Sequence, residues 1–179
     1  MTESYDLVIR GGTIYDGSGS DPFEADLGII DDKIARIEPS KILERGKEEI
    51  DGRGLAVAPG FINMLSWANE ALIEDGSSQS DIRQGITLEV LGEGTSMGPY
   101  NESMKSERRE KQGDIKYDIT WTSLKEYLEF LEEKGISTNV ASFVGATTLR
   151  TYVLGKEDVE PSENQLKEME ALAETAMKE

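Results

Sequence analysis

The chain has 179 residues, of which 36 are acidic and 19 are basic, so its formal net charge at neutral pH is -17. It is 37% hydrophobic and 31% charged, an ordinary globular composition that excludes an intrinsically disordered protein. The negative charge repels phosphate backbones and anionic membrane surfaces. We therefore expect no nucleic acid and no membrane among the partners of this protein.

Two residue types, cysteine and histidine, are absent from the sequence. Without cysteine there is no disulfide framework and no thiol nucleophile. Histidine is the commonest metal ligand and titrates near neutral pH, so its absence leaves carboxylates, hydroxyls, lysines and backbone groups for any chemistry within these residues. Residues 1–6 lack the basic and apolar regions of a signal peptide, and no apolar run is long enough to cross a membrane. These features predict a cytoplasmic protein.

The first part of the chain has the pattern of short β-strands separated by turns. Strands are predicted over residues 5–10, 13–15, 25–30, 33–38 and 55–58. The glycines at 11–12 predict a hairpin turn between the first two strands, and Asp31 with Asp32 predicts a tight turn between the next two. The charged run 42–49 is interpreted as a solvated connection. We expect a small all-β unit over residues 1–57 with no catalytic constellation of its own.

A Pro-Gly pair at residues 59–60 separates two apolar runs and predicts the junction between this unit and the next. Beyond it, buried strands are predicted over residues 61–65, 86–91 and 138–144. Helices are predicted over 68–75 and 80–84, from Ser123 to Gly135, and from Ser162 onward with Leu166 and Met177 among its inward positions. The polar stretch 100–117 is longer than an ordinary connection and is interpreted as a functional lid or a mobile insertion.

Residues 58–179 thus contain about three strand–helix units. A parallel barrel of eight strands needs roughly 250 residues, about twice that length. Parallel sheets are normally covered on both faces, and their open edges are a liability. The chain is therefore either a small three-stranded α/β protein with exposed parallel edges or the N-terminal part of a longer α/β protein, and we expect the latter.

Several segments carry a resemblance to a known family. The sequence Ala-Pro-Gly-Phe-Ile at residues 58–62 resembles the amidohydrolase superfamily, in which a β-sandwich flanks a (β/α)8 metal-dependent hydrolase barrel. Residues 83–87, 92–99 and 139–150 are similar to its D-aminoacylase (N-acyl-D-amino-acid deacylase) branch. The resemblance covers essentially the whole chain. It implies that residues 1–57 are part of the β-sandwich and that residues 58–179 form the first three βα units of an incomplete TIM-like barrel.

The departures from the family pattern concern its metal ligands. In the family the first barrel strand ends Gly-Phe-Ile-Asp-x-His-x-His, and the two imidazoles reach one metal. Here Asn63 replaces the aspartate, while Leu65 and Trp67 occupy the two histidine positions, so this half of the metal site is missing. The deacylases carry Asn-Cys-Gly after the second strand, with the cysteine as a metal ligand, and here Glu93 between two glycines offers a carboxylate instead. Ala146 stands where the family often has a histidine.

Three side chains are candidates for the site. Glu93 is the candidate metal ligand, because a glutamate oxygen is a competent zinc ligand; alternatively it is a solvated loop residue. Arg150 could pair bidentately with a substrate carboxylate or form a structural ion pair. Ser96 could donate a hydrogen bond to a substrate or satisfy a turn. Leu65 and Trp67 are expected to pack in the vacated metal position rather than to contact substrate.

Two functions remain open. The resemblance implies a hydrolase of carbon–nitrogen (amide) bonds that uses zinc, as one ion, to deacylate N-acyl-D-amino acids or related small amides. Its remaining ligands and catalytic aspartate would then lie on later strands of the full-length protein, and the fragment alone is expected to be inactive. The alternative is a catalytically inactive amidohydrolase-like binding or scaffold protein, since the His-x-His pair is replaced.

Overall fold

The computed structural model describes residues 5–39, 41–42 and 44–179. The chain divides into two compact units, Met1–Pro59 and Gly60–Glu179. The prediction that no signal peptide is present rests mainly on residues 1–4, which lie outside the described residues. Among the described helices, none has both the length and the apolar composition required to cross a membrane.

The first unit is built on one mixed sheet of five strands. These are β1 (Tyr5–Ile14), β2 (Phe23–Ile30), β3 (Lys33–Glu38), β4 (Gly46–Asp51) and β5 (Ala56–Val57). The hydrogen-bonded order is β3-β2-β1-β4, and β5 also pairs with β1. β2 runs antiparallel to both β1 and β3, whereas β4 and β5 run parallel to β1. The predicted pair of strands at 25–30 and 33–38, with its turn at Asp31 and Asp32, is confirmed.

The predicted hairpin at Gly11 and Gly12 is wrong, because both glycines lie inside the continuous strand β1. The pairing register with β2 shifts between Ile9 and Gly12, and Gly11 has a φ of 63°. A bulge of this kind absorbs an extra residue without reversing the strand, and glycine adopts the left-handed conformation at little cost. The N–H of Gly11 donates to the carboxylate of Asp26 at 2.8 Å, which fixes the bulge against β2.

The charged run 42–49 also differs from its prediction. Residues 46–49 belong to β4, which pairs with β1, so only the start of the run is a connection. Lys47, Glu48 and Glu49 are exposed there. An edge strand tolerates such charges because one of its sides has no partner strand to exclude water, and charges there discourage pairing with other chains.

The second unit contains a parallel sheet with helices between its strands. The strands β6 (Phe61–Asn63), β7 (Ile86–Leu91) and β8 (Asn139–Ser142) pair in the order β6-β7-β8. The helices among its described residues are α1 (Ala71–Glu74), α2 (Gln79–Ile82), α3 (Glu102–Glu110), α4 (Leu124–Lys134), α5 (Ala146–Leu154) and α6 (Glu163–Lys178). The predicted α/β class is confirmed, as are the predicted helix starts at Ser123 and Ser162, each of which has a capping box. The β-sandwich and the barrel stay predictions.

Two expectations for the second unit are corrected. The side chains of Phe61 and Ile62 are more than half exposed, because among the described residues β6 is an edge strand paired only with β7, so the predicted buried strand is wrong there. The stretch 100–117 contains the nine-residue helix α3, and its role as a lid or an insertion stays a prediction. Leu166 and Met177 on α6 are exposed rather than inward, because the described residues do not cover that face.

An aromatic core fixes the loop that follows β7. Trp121 and Tyr127 are fully buried beside Leu91 and Met97. The indole Nε1–H of Trp121 donates to the carbonyl of Met97 at 2.6 Å, so the buried indole has the partner that it needs. The loop leaving the C-terminal end of β7 is therefore held by the interior of the unit and not only by its own turn.

Candidate functional site

The strand ends of the second unit define one edge of its sheet. Because β6, β7 and β8 are parallel, the residues that follow them, 64–67, 92–98 and 143–145, leave the sheet at the same edge. Ligand sites of parallel α/β proteins lie at this carboxyl edge. The predicted site residues Glu93 and Ser96 come from the second of these loops, and Arg150 comes from the helix after the third.

The loop after β6 presents an apolar surface at the two histidine positions of the family pattern. Leu65 is 51% exposed and Trp67 is 74% exposed, while Ser66 between them is buried. The backbone N–H of Ser66 donates to the carbonyl of Val90 at 2.9 Å, which continues the pairing beyond β6. The expectation that Leu65 and Trp67 pack into a vacated metal position is wrong for the described residues, since both project into solvent.

A buried carboxyl that sequence reasoning did not select connects the three strands. Glu89 in β7 is fully buried. Its Oε2 accepts a hydrogen bond from the hydroxyl of Ser66 at 2.6 Å, and its Oε1 accepts one from the hydroxyl of Thr138 at 2.9 Å. Ser66 follows β6 and Thr138 directly precedes β8, so the side chain links all three strands. The only signal in the sequence is a lone glutamate within an apolar strand.

Glu93 lies on the loop after β7, between two glycines that both have positive φ. Its side chain is exposed, and its carboxylate has no hydrogen-bond or ion-pair partner among the described residues. The carbonyl of Glu93 accepts the N–H of Thr95 at 2.9 Å, which closes the turn. The carboxylate therefore remains free for a ligand, and its predicted role as a metal ligand stays a prediction.

The residues at this edge do not by themselves fit a zinc site. Zinc takes three or four nitrogen, oxygen or sulfur ligands. In the part of the chain that the structure describes, no group of three or more histidine, cysteine, aspartate or glutamate side chains is placed to hold a metal. Glu93 is a single carboxylate, and the positions of Leu65 and Trp67 offer no donor atom. We therefore assign no chemical step to a metal on this chain.

Ser96 joins the loop after β7 to the start of α5. Its hydroxyl accepts the N–H of Gly145 at 2.9 Å and donates to the carbonyl of Gly98, while its own N–H donates to the hydroxyl of Thr148 at 2.8 Å. A Cβ at Gly145 would come within 2.7 Å of the Ser96 nitrogen, so only glycine permits this approach. The buried hydroxyl is thus engaged within the protein, and its contact with a substrate stays a prediction.

Arg150 lies on α5, one residue beyond the buried pair Thr148 and Leu149. Its Nη2 donates to the carbonyls of Glu157 and Val159 at 3.2 and 2.7 Å. The side chain therefore satisfies backbone groups after the helix, and it forms no ion pair with any residue that the structure describes. The structure brings Thr148, rather than Arg150, into contact with Ser96, and the role of Arg150 toward a substrate carboxylate stays a prediction.

A pocket of about 340 Å³ lies beside these loops. Its walls are contributed by threonines that follow β7 and β8 and by cationic residues of α3 and of the segment after α5. The lining residues are Glu70, Thr95, Tyr100, Met104, Glu107, Arg108, Lys111, Gln112, Thr147, Thr148, Thr151 and Lys156. Sequence reasoning missed these cations because nothing local in the stretch 100–117 shows that α3 faces the strand ends.

Known proteins resemble this chain over nearly its whole length. D-aminoacylase of Alcaligenes xylosoxydans xylosoxydans is 30% identical over 180 residues, which cover 98% of this chain and 36% of that protein. An uncharacterized protein of Mycobacterium tuberculosis is 30% identical over 192 residues, which cover 98% of this chain and 31% of its relative. The chain thus spans about a third of the length of the curated relatives it matches. No family model matches it.

Solved structures give the same result. One is the structure of N-acyl-D-glutamate deacylase from Bordetella bronchiseptica, complexed with zinc and a phosphonate inhibitor. The match covers 98% of this chain and 37% of the deacylase chain, with a TM-score of 0.82 and 26% identity. A structure of D-aminoacylase matches 97% of this chain and 36% of its own with a TM-score of 0.82 and 28% identity. The resemblance predicted from the sequence is confirmed: over nearly its whole length this chain is similar to the N-terminal portion of the D-aminoacylases, which are amidohydrolases.

Proposed function

We propose that the full-length protein hydrolyses the amide bond of small N-acyl amino acids, with the D-enantiomers as its preferred substrates. The observation that carries this proposal is the similarity of nearly the whole chain, in sequence and in backbone, to D-aminoacylase and N-acyl-D-glutamate deacylase. A similarity of fold alone would not support an activity. Here the similarity of fold is accompanied by 30% sequence identity to D-aminoacylase over 98% of this chain.

In this proposal the second unit supplies the first three strand–helix units of a (β/α)8 barrel, and the first unit is part of a β-sandwich. The parallel order β6-β7-β8, which follows the order of the strands along the chain, supports the barrel. The edge of β6 and the exposed side of β8 would then pair with strands outside this chain. The exposed apolar side chains of Phe61 and Ile62 are consistent with such a partner.

Among the predicted site residues, Glu93 is the one proposed to reach the reacting centre. Its carboxylate is exposed at the strand-end edge and has no partner among the described residues. One zinc ion is part of the proposal, because zinc is present in the related N-acyl-D-glutamate deacylase structure, with Glu93 as the single ligand from this chain. Ser96 and Arg150 are proposed to contact the substrate, Arg150 through guanidinium donors that the carbonyls of 157 and 159 do not use.

The test is hydrolysis by the full-length protein of N-acetyl-D-methionine and N-acetyl-L-methionine, with the bound zinc measured in parallel. We expect turnover of the D-form, and we expect Glu93→Gln to lower both zinc content and kcat by at least about tenfold. The matched control is Glu168→Gln, which removes an exposed carboxylate on α6 and should change neither quantity. If the zinc content and kcat are unchanged in Glu93→Gln, Glu93 is not part of the site.

A second function is supported by one observation. Leu65 and Trp67 occupy the positions of the family's first metal pair and are exposed, which favours a protein that keeps the scaffold and binds a ligand without hydrolysing it. This alternative predicts binding of N-acetyl-D-methionine with no release of methionine and no bound zinc. Turnover that requires zinc would contradict it.

A further inference from the structure

The pocket of about 340 Å³ is cationic although the chain is strongly acidic. Three cations, Arg108, Lys111 and Lys156, and two acids, Glu70 and Glu107, line it, so the lining has a formal charge of +1, whereas the whole chain carries -17. Both lysines donate to the same oxygen of Glu107. Their hydrogen bonds, first from Lys111 and then from Lys156, lower the pKa of Glu107. One ionised carboxylate thus compensates only one of two ammonium groups.

Arg108 is held in this pocket by weak contacts. Its side chain is 33% exposed. Nε lies 3.3 Å from the hydroxyl of Tyr117, and Nη2 lies 3.5 Å from Glu70 and 3.2 Å from the sulfur of Met97. The two distances to oxygen exceed the roughly 2.7–2.9 Å of strong charge-assisted bonds, and a thioether sulfur is only a weak acceptor. The guanidinium also lies 5.6 Å from the ring centroid of Tyr100, which orients it. None of these hydrogen bonds uses Nη1, so an arginine that is always charged keeps donors for a ligand.

Threonine hydroxyl groups also line the pocket. Thr95 follows β7, and Thr147 and Thr151 lie on α5, the helix that follows β8. The N–H of Thr147 donates to the carbonyl of Gly94 at 3.1 Å, so this wall is tied to the loop that carries Glu93. A threonine hydroxyl can donate to an anion. The pocket therefore combines a guanidinium fork, an uncompensated ammonium charge and hydroxyl donors at the strand-end edge.

We propose that this pocket binds the carboxylate of a small organic acid, with Arg108 as its principal donor and Lys156 as a supporting charge. The net charge of +1 suits a monoanion, and the volume lies at the small end of the range of ligand pockets. Resting on the proposed function, we infer that the acid is the N-acyl amino acid substrate. Its carboxylate is anchored here, in place of the pairing with Arg150 expected from the sequence, while its amide lies toward Glu93, two residues from Thr95.

The test is calorimetric titration of the full-length protein with N-acetyl-D-methionine and with its uncharged amide, N-acetyl-D-methioninamide. We expect the acid to bind at least about tenfold more tightly than the amide. Arg108→Gln should weaken binding of the acid by about 10- to 100-fold and leave binding of the amide unchanged. Lys156→Gln removes an exposed side chain and should not disturb folding. It should weaken binding of the acid a few-fold. The control, Arg83→Gln, removes an exposed arginine at the C-terminal cap of α2 and should change nothing.

Equal binding of acid and amide, no binding of the acid, or unchanged affinity in both Arg108→Gln and Lys156→Gln would overturn the carboxylate pocket. Failure of the proposed function gives a different result. If the wild-type protein binds the acid through Arg108 but releases no methionine, the pocket stands and the hydrolase is rejected. If methionine is released with the same KM in both variants, the hydrolase stands and the pocket is rejected.

Discussion

Each unit of the chain contains a buried carboxyl and a partly buried arginine, but the two units use them differently. In the first unit they bond to each other: Arg10 donates to Asp26 at 3.0 Å, and Asp26 also accepts the N–H groups of Gly11 and Ile42. In the second unit they are separate. Glu89 is bonded by two hydroxyls, and Arg108 lines a pocket.

The number of unused guanidinium donors, rather than the size of the adjacent cavity, distinguishes an arginine that can bind a ligand from one with a structural role. A cavity of about 710 Å³ in the first unit is lined by Arg10 and is larger than the pocket of Arg108. Yet Arg10 makes five hydrogen bonds, to Asp26, to both oxygens of Glu49 and to the carbonyls of Ile42 and Glu44, which use all the donors of a guanidinium. Arg108 keeps donors for a ligand.

The largest effect on stability is expected from Arg10→Ala, which leaves Asp26 buried without its cation. Breaking such a pair typically costs about 3–5 kcal/mol. Hydrogen exchange of the β1 and β2 amides in the full-length protein would measure this local loss. Lys47→Ala is the control, since Lys47 is 72% exposed beside Asp6 and an ion pair in solvent contributes little to stability. Equal losses of protection in the two variants would contradict a structural role for Arg10.

A smaller effect is expected from Thr138→Val, which removes one of the two donors to Glu89. Leaving a buried acceptor without its hydrogen bond costs about 1–3 kcal/mol. The loss should appear as faster hydrogen exchange in β7 and β8. Thr138→Ser keeps the hydroxyl and should retain most of the protection, so a loss as large as that of Thr138→Val would show that the methyl group, and not the hydrogen bond, matters.

The pairing of Asp26 also predicts a pH dependence. Burial by itself raises the pKa of Asp26, but the hydrogen bonds from Arg10, Gly11 and Ile42 outweigh it and lower this pKa below its ordinary value of 3.8. A carboxyl with a lowered pKa in the folded state stabilises the fold above its unfolded pKa, and this stabilisation is lost as the pH falls through the folded value. We expect protection of β1 and β2 to decrease below about pH 4.

Asp26→Asn should reduce this acid dependence without abolishing it. The pKa of Glu49 is also lowered, chiefly by its hydrogen bond from Arg10. Part of the decrease in protection with falling pH should therefore remain. Protection measured between pH 2 and pH 6 would separate the two contributions. If protection falls as steeply with pH in Asp26→Asn as in the wild-type protein, Asp26 does not contribute to the acid dependence.

The smallest effect on stability is expected from Arg108→Gln. The contacts of Arg108 with Glu70 and Tyr117 are long, so their loss should cost less than about 1 kcal/mol, even though the same variant loses affinity for a carboxylate. Thermal unfolding of the full-length protein would check this. A destabilisation as large as that of Arg10→Ala would show that Arg108, like Arg10, is structural.

The sequence predicted those elements whose signals are local. The serine caps of α4 and α6 are specified by residues within one helical turn. The strand β7 is specified by a run of six consecutive residues. The bulge at Gly11 could not be predicted, because a glycine pair can turn or bulge, and the deciding contact comes from Asp26, fifteen residues away. Register and packing depend on such distant partners.

The same limit applied to the site. Glu93 and Ser96 could be selected because they lie in a recognisable motif after a predicted strand. Glu89 could not be interpreted, because its partner Thr138 lies 49 residues away. The significance of Arg108 depends on Glu70 and on Tyr117, 38 and nine residues away. Cations brought together by packing leave no periodic pattern in a stretch of polar sequence.

The most direct test of the whole account is the ratio of kcat/KM for N-acetyl-D-methionine to kcat/KM for N-acetyl-D-methioninamide in the full-length wild-type protein. We expect the protein to release methionine and to prefer the free acid by at least about tenfold, because one charge-assisted hydrogen-bonded anchor is worth at least that factor. Equal values for acid and amide, or no hydrolysis of either, would contradict it.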